Sequence, residues 1–517
     1  MKTKMSNRFA QVFACLCVGV LVLSLVVSSS APSTDNTVTL KFYDAQGSGT
    51  ELSADEAKSV IHGNGGYDSD ALLDPATMQD LAMHPLYEGG TPRRWQFDIP
   101  GRPVAFAVNW PTKRGFSFVI LDDSGTGFRT GRTVVFNYQA AVDAMRRLEA
   151  ALDARPDYHR SNEWAAAYAA AESNLSNARH ARTDSDRGKY GQLALDAIHL
   201  ATDTLLAEYG PQYAKSRRTD PQIGLTVDKI GTPAEWSTLA QRISRSYGWV
   251  RIVFDPGVDD EDDRKQPDPE VYRQAVETAR TAGLKILGQP VDSYFANRYT
   301  TEEYLTRVRA YVTAFPWIDA WEVGNEVNGC WLDRKTDDQG TCTEQQVPHE
   351  DRIINKIDQA AQYVRQQRPD AMVVLTLYWQ IGTDSPEWST FNWARANLTP
   401  EIRRNIDTVL LSTWVEDAPL GLAFDQVMTT LLDEFAGKKV GLGELGYWLA
   451  STSRLYWAFD PLDVASARRE LAAYYYGAAL GYERSVGGGY WWDFVDEMPT
   501  DPGLQQAVLQ VTNRLAN

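Results

Sequence analysis

Residues Ile318–Glu326 read IDAWEVGNE, a mostly apolar run that ends in Asn-Glu. Its length and its Trp and Val suit a buried strand. A run with helical spacing, TEEYLTRVRAYVTAF, precedes it, and another, HEDRIINKIDQAAQYVRQQ, follows it. The next apolar run is MVVLTLYW. A strand, a helix and a second strand in that order form a parallel unit, because parallel strands need a long crossover between them.

The same alternation extends in both directions. Strands are predicted at IGLTV from Ile223, WVRIVFD, LKILGQ, IDAWEVGNE, MVVLTLYW, TVLLSTW, KVGLGE and GGGYWWDF, with helix-like runs between them. The weakest helix is FNWARANLTPEIRRN, which Pro400 interrupts, and LQQAVLQVTNRLAN closes the chain. Eight strands alternating with eight helical segments predict an α/β fold, a (β/α)8 TIM barrel spanning 220–517. An open doubly wound sheet is the alternative, but it rarely needs eight units. No Gly-x-Gly-x-x-Gly or P-loop pattern follows a strand, so no nucleotide is suggested.

Residues 36–139 read as a small antiparallel β-rich domain. Thr37–Phe42 is strand-like, the Gly/Asp-rich stretch to about Gly90 reads as irregular, and RRWQFDI, VAFAVNW and FSFVILDD alternate between Pro/Gly turns. TVVFNYQ reads as a further strand. An Ala-rich helical segment, 140–215, bridges this unit to the barrel, and KSRRTDPQ reads as a linker. The β unit reads as a packing domain in preference to a carbohydrate-binding module. Residues 1–35 carry a basic leader, an apolar stretch from Phe9 to Val27 and then SSSAPSTDN. That is a signal peptide or an uncleaved membrane anchor, and both imply export. Cys15 and Cys17 lie inside it, whereas Cys330 and Cys342 flank one short loop and read as a disulfide. A metal pair is the alternative, but no His or Cys cluster completes it. With 68 acidic against 51 basic side chains, the net charge of -17 argues against nucleic acid or an anionic membrane as partner.

In a (β/α)8 barrel the active site lies at the C-terminal strand ends. In strand order these carry Arg251 and Asp255, Gln289 and Asp292, Asn325 and Glu326, then Tyr378, Trp379 and Gln380. Trp414 follows, with Glu416 and Asp417 beyond it, then Glu444 before Tyr447 and Trp448, and finally Trp491, Trp492 and Asp493. An ionised carboxylate is costly in a buried strand unless it is paired or working. Glu326 and Glu444, on the fourth and seventh strands, can face each other across the mouth, and two facing carboxyl groups are what glycosidic-bond hydrolysis requires. The largely aromatic and amide rim fits a sugar. Glu322 lies deeper and is expected to pair with a cation such as Lys285 or Arg251, not to serve as the acid. Trp491 and Trp492 cannot both face the cleft on a regular strand. Trp331, Trp379, Trp414 and Trp448 stay open between sugar contact and packing. The acidic run DDEDDR at 259–264, Asp493 and Asp496 read as solvated, so no metal site is expected, weak Ca²⁺ binding by the acidic run being the alternative.

WEVGNEVNG resembles the fourth-strand signature of clan A glycoside hydrolases, the retaining (β/α)8 glycosidases, and VGLGELGYW resembles their seventh-strand signature. The resemblance covers about Ile223 to the end. It implies an enzyme that needs no cofactor and cleaves a β-linked glycan, and the leader adds export. Glu326 would be the acid/base, Glu444 the nucleophile, Asn325 the ligand of the sugar 2-hydroxyl and Arg251 the cation that keeps Glu444 ionised. Trp491 or Trp492 would floor the sugar; Gln289 stands nearest to where the clan keeps its third-strand His, Tyr378 or Tyr447 could replace the clan's sixth-strand contact to the nucleophile, and Trp379, Trp414 and Trp448 are candidate sugar contacts. The chain departs from the clan pattern in lacking a sixth-strand aromatic hydroxyl or imidazole, a third-strand His and the Pro after the acid/base, where Val327 stands. A glycan-binding protein on a decayed barrel and a transglycosylase are the rival expectations.

Overall fold

The computed structural model describes residues 36–62, 70–217, 221–228, 234, 237–238, 248–254, 267–336, 342–381, 385–415, 418–447, 464–492 and 501–516. The leader, Asp255, the 259–264 run, Glu416, Asp417, Trp448, Asp493 and Asp496 lie outside the described residues. In the N-terminal unit, eight strands form two four-stranded sheets. They are β1 (Thr37–Lys41), β2 (Ala71–Leu73), β3 (Asp80–Met83), β4 (Tyr87–Gly89), β5 (Arg94–Asp98), β6 (Ala105–Thr112), β7 (Gly115–Leu121) and β8 (Thr133–Val135), ordered β4-β5-β1-β8 and β3-β2-β6-β7. The pairs are antiparallel except β1 with β8, which is parallel.

Two local expectations are corrected here. The stretch before Gly90, expected to be irregular, contains helix α1 (Ala54–His62) and strands β2, β3 and β4. These strands are too short to show a period, and β2 is held from a distance, with Ala71 opposite Ala107. TVVFNYQ is strand only through Val135; Phe136 begins helix α2 (Phe136–Asp153). Phe136, Ala140 and Ala144 recur at helical spacing and are buried, and Phe136 packs on Phe42 at 4.4 Å and on Trp110 at 4.9 Å. Tertiary packing overrides the β preference of the local residues. Helices α3 (Asn162–His180) and α4 (Asp184–Arg217) follow, and α4 packs on α2 and α3 and on the barrel helix Val464–Ala478.

The eight barrel strands are the eight expected. They are β9 (Gly224–Val227), β10 (Trp249–Val253), β11 (Lys285–Gln289), β12 (Ala320–Gly324), β15 (Met372–Tyr378), β16 (Thr408–Trp414), β17 (Lys439–Gly446) and β18 (Ser485–Trp491). Between β12 and β15 a small hairpin, β13 (Arg334–Thr336) and β14 (Cys342–Gln346), stands on the loop that the Cys330–Cys342 disulfide closes. The barrel strands pair in parallel and β18 returns to β9, closing the barrel. Pro400 splits its helical run into Thr390–Asn397 and Pro400–Asn405, with the Thr399 hydroxyl accepting from the Ile402 N–H at 3.3 Å. Asp319, at the start of the opening stretch, accepts from the Ile286 N–H at 2.9 Å, and Asp407 accepts from Val373 N–H at 2.8 Å. Both carboxylates satisfy backbone donors at the beginnings of neighbouring strands.

The interior follows the two-residue period of the strands. Trp249, Leu287, Ala320, Val374, Leu410 and Tyr490 form one apolar cluster. Two residues further along the same strands stand Arg251, Gln289, Glu322, Thr376, Ser412 and Trp492, on the same inward face. The residues between them, such as Val250, Ile252, Val323, Leu375, Leu411 and Trp491, join the core shared with the helices. The N-terminal unit packs beside this mouth. Ser389 Oγ donates to Asp80 Oδ2 at 2.7 Å, Leu422 N–H donates to Ser117 Oγ at 2.8 Å, and the Phe118 ring meets Trp379 edge-on at 6.0 Å. Ser389 and Leu422 lie on the segments that follow β15 and β16.

Candidate active site

The site is built on the polar layer and the strand ends above it. Arg251 is fully buried, and its guanidinium meets two carboxylates. Nε and Nη2 donate to Glu322 at 2.8 and 3.1 Å, and Nη1 donates to Glu444 Oε2 at 3.0 Å. The Thr376 hydroxyl adds a 2.5 Å bond to Glu322. Glu322 is thus the paired group at the base of the site, with Arg251 as its cation. Lys285 lies elsewhere, 5.6 Å from the Trp249 ring centroid.

Beyond Gly324 the backbone turns sharply. Glu326 adopts φ +49°, left-handed and uncommon for a residue with a side chain. The turn is held by Val327 N–H on Thr376 O at 3.1 Å and by Gly329 N–H on Glu326 O at 2.8 Å. Ser412 Oγ donates to Glu326 Oε1 at 2.6 Å and Ser293 Oγ donates to Oε2 at 2.9 Å. Ser293 N–H also donates to Asn325 Oδ1 at 3.1 Å, which orients the amide so that Nδ2 donates to Glu444 Oε2 at 3.3 Å. One network therefore joins Glu326, Ser293, Asn325, Glu444, Arg251 and Glu322.

Burial pushes the Glu326 carboxyl up to about 7; the Asp292 charge acts in the same direction, while Ser412, Ser293 and Arg251 oppose it. Burial also pushes Glu444 well above the carboxylate range, with the charge of Glu326 adding and Arg251 opposing. Arg251, expected to keep Glu444 ionised, does donate to it, but through one of its three nitrogens, the other two being committed to Glu322. Two facing carboxyls oppose each other's ionisation, which favours a singly protonated pair toward neutral pH. The hydrogen-bond partners of the two carboxyls differ in kind. Glu444 Oε2 faces two N–H donors that can only donate, whereas the partners of Glu326 are hydroxyls that donate or accept.

The remaining candidates separate by strand parity. Trp492 is part-exposed, with the Arg251 guanidinium 5.3 Å from its ring centroid, so it lies beside the pair. Trp491 points outward and is fully buried in the helix-facing core. Trp379 does the same, 1% exposed and packed against Phe118 and Phe391. Both are corrected from sugar contacts to core, because alternate residues on a strand face opposite sides. Tyr378 is half-buried with its ring on Trp331 at 5.5 Å. Trp414 is half-buried over Gly446, where a Cβ would come within 2.2 Å of its ring. Gln289 is buried; its Nε2 donates to Asp292 Oδ2 at 3.0 Å, and its Oε1 has no protein partner among the described residues. Ser293, Ser412 and Thr376 are the site residues that sequence reasoning missed. Ser412 shares the parity of Trp414, two residues on, which was the available signal. Ser293 opens the short helix Ser293–Ala296 after β11 and carried none. No group of three or more His, Cys, Asp or Glu among the described residues could hold a metal ion.

No protein-family model and no curated protein matches the chain. Solved structures do resemble it. The catalytic core of xylanase A aligns at 15% identity over 57% of this chain and 99% of that one, with a TM-score of 0.39. A thermostable xylanase mutant from Cellvibrio japonicus aligns at 14% identity over 59% and 100%, with a TM-score of 0.40. An endo-1,4-β-mannanase from Rhizomucor miehei aligns at 12% identity over 57% and 95%, also with a TM-score of 0.40. At these values the likenesses carry no weight for activity or substrate.

Proposed function

We propose that the protein is an exported glycoside hydrolase that cleaves a β-linked oligosaccharide or polysaccharide by double displacement. The observation that carries this reading is the pairing of two buried carboxyls with opposite hydrogen-bond environments, Glu326 between two hydroxyls and Glu444 against Arg251 and Asn325. Glu326 donates its proton to the glycosidic oxygen as Glu444 attacks the anomeric carbon. The glycosyl ester that forms removes the charge from Glu444. The pKa of Glu326 then falls, and it takes a proton from the water that completes hydrolysis. Asn325, fixed by Ser293 and adjacent to both acids, is suited to the 2-hydroxyl of the bound sugar. Trp492 offers the flat face beside it, and Gln289 Oε1, without a partner among the described residues, is an acceptor in the same inward layer. The Cys330–Cys342 disulfide supports an oxidising location.

The test is a screen of the purified protein on β-glucans, mannans, xylans, galactans and bacterial exopolysaccharides, with the anomeric configuration of the first product followed by NMR. Retention is expected, and inversion would overturn double displacement. With an activated aryl glycoside, azide should rescue Glu326→Ala and give a glycosyl azide of retained configuration. Full activity in Glu444→Ala would sink the assignment.

A further inference from the structure

The two serines on Glu326 need an explanation of their own. Ser412 is fully buried and comes from β16; Ser293 is nearly so and opens the short helix Ser293–Ala296 that follows β11. Each hydroxyl has the Glu326 carboxyl as its hydrogen-bond partner, one on each oxygen, at 2.6 and 2.9 Å. The left-handed backbone at Glu326 turns the carboxyl toward them. We propose that Ser412 and Ser293 are positioning residues for the acid–base cycle of Glu326, holding its carboxyl in one orientation in both protonation states. This rests on the function proposed above.

The physical reason lies in what a hydroxyl can do. An acid/base must be stable as an acid in one step and as a carboxylate in the next. A Lys or Arg partner would stabilise only the ionised form, and an apolar wall only the neutral one. A hydroxyl donates strongly to the carboxylate and more weakly to the neutral acid, whose proton sits on the lone pair that faces the cleft, so the contact survives the cycle while favouring the ion. With one bond to each oxygen, a lone pair stays free to face the cleft. Among the described residues, the other charges near Glu326 are fixed by other elements: Arg251 on β10, Asp292 after β11, Glu322 on β12 and Glu444 on β17. The carboxylates favour the neutral acid and Arg251 the ion. The serines supply donation to the ion that burial would otherwise deny it.

The test reads Glu326 without needing a substrate. Full-length protein carrying 13C-carboxyl glutamate is titrated by NMR, with Glu326→Gln identifying the resonance. Deleting one donor to the ionised form should raise the Glu326 midpoint by about one pH unit in Ser412→Ala, and in the same direction in Ser293→Ala. Ser412→Thr, which keeps the hydroxyl, should restore it. On an aryl β-glycoside, the descending alkaline limb of kcat/KM should move upward with the NMR midpoint. A structural role alone would lower the melting temperature and leave both midpoints in place. Unmoved midpoints in both alanine variants overturn this proposal whatever the activity. A moved NMR midpoint in a protein that hydrolyses none of the glycans overturns the proposed function and, with it, the catalytic role of the serines, while the contact itself stands. If Ser412→Ala does not fold, Ser293→Ala carries the same reading.

Discussion

The apolar floor of the barrel and the polar layer above it are made by the same strands, two residues apart. Trp249 precedes Arg251, Ala320 precedes Glu322, Val374 precedes Thr376 and Leu410 precedes Ser412. Their burial is equal, but their roles differ. The floor excludes water and makes every charge above it costly. The polar layer answers that cost with partners, and the pair at the mouth uses what remains. Glu322 and Glu326 show the difference within one segment. The first has two guanidinium bonds and a threonine; the second, among the described residues, has two serine hydroxyls.

The comparison is broken or sharpened by substitution. The largest effect should come at the mouth: Glu444→Gln should lower kcat/KM on the order of 10⁵-fold, and Glu326→Gln somewhat less, with little loss of melting temperature. If both variants stay active, the mouth is only another structural layer. One step down the ranking should invert. Glu322→Gln removes one partner of a buried pair and should cost about 3–5 kcal/mol of stability, read by denaturant unfolding. Among the tryptophans, Trp491→Ala should cost about 3–5 kcal/mol as a core truncation. Trp492→Ala should mainly raise KM, by about tenfold, because a lost sugar contact is worth on the order of 1 kcal/mol. Equal stability losses in the two would contradict the parity assignment.

The smallest effect is in pH. A carboxyl whose folded pKa is raised keeps a proton that the unfolded chain has already released, so stability falls as pH rises through that window. For Glu326 the window runs from its ordinary value of 4.5 to about 7. Asp143 and Asp196, each pushed to about 6 chiefly by burial, add to the lower part. Glu326→Gln should flatten the upper part of the slope in thermal unfolding followed against pH. An unchanged slope would mean that Glu326 titrates at its ordinary value and is no acid at neutral pH.

Much of this was legible along the chain, for a local reason. The barrel strands are apolar runs separated by amphipathic helices, and burial on both faces leaves that pattern wherever it occurs. Glu326 and Glu444 stood out because a carboxylate at the end of such a run is costly. The short strands before Gly90 were not legible, since three or four residues cannot display a period and their partners lie far away in sequence. The N-terminal limit of α2 was misread because Val134–Phe136 has strand preference, and packing on Phe42 and Trp110 decides otherwise. Strand parity separated Trp491 from Trp492 and Trp379 from Tyr378, but only once the inward face was known.

What the sequence determined by itself is the repeating order of strand and helix and the placing of two carboxylates on opposed strand ends. Both follow from spacing along one chain. What only the tertiary structure decided is the partner of each carboxylate. Arg251 is 71 residues from Glu322 and 193 from Glu444, and Ser412 is 86 from Glu326. The protonation of an acid is set by the charges and donors within a few ångströms of it, and barrel closure brings those groups together from strands distant in sequence.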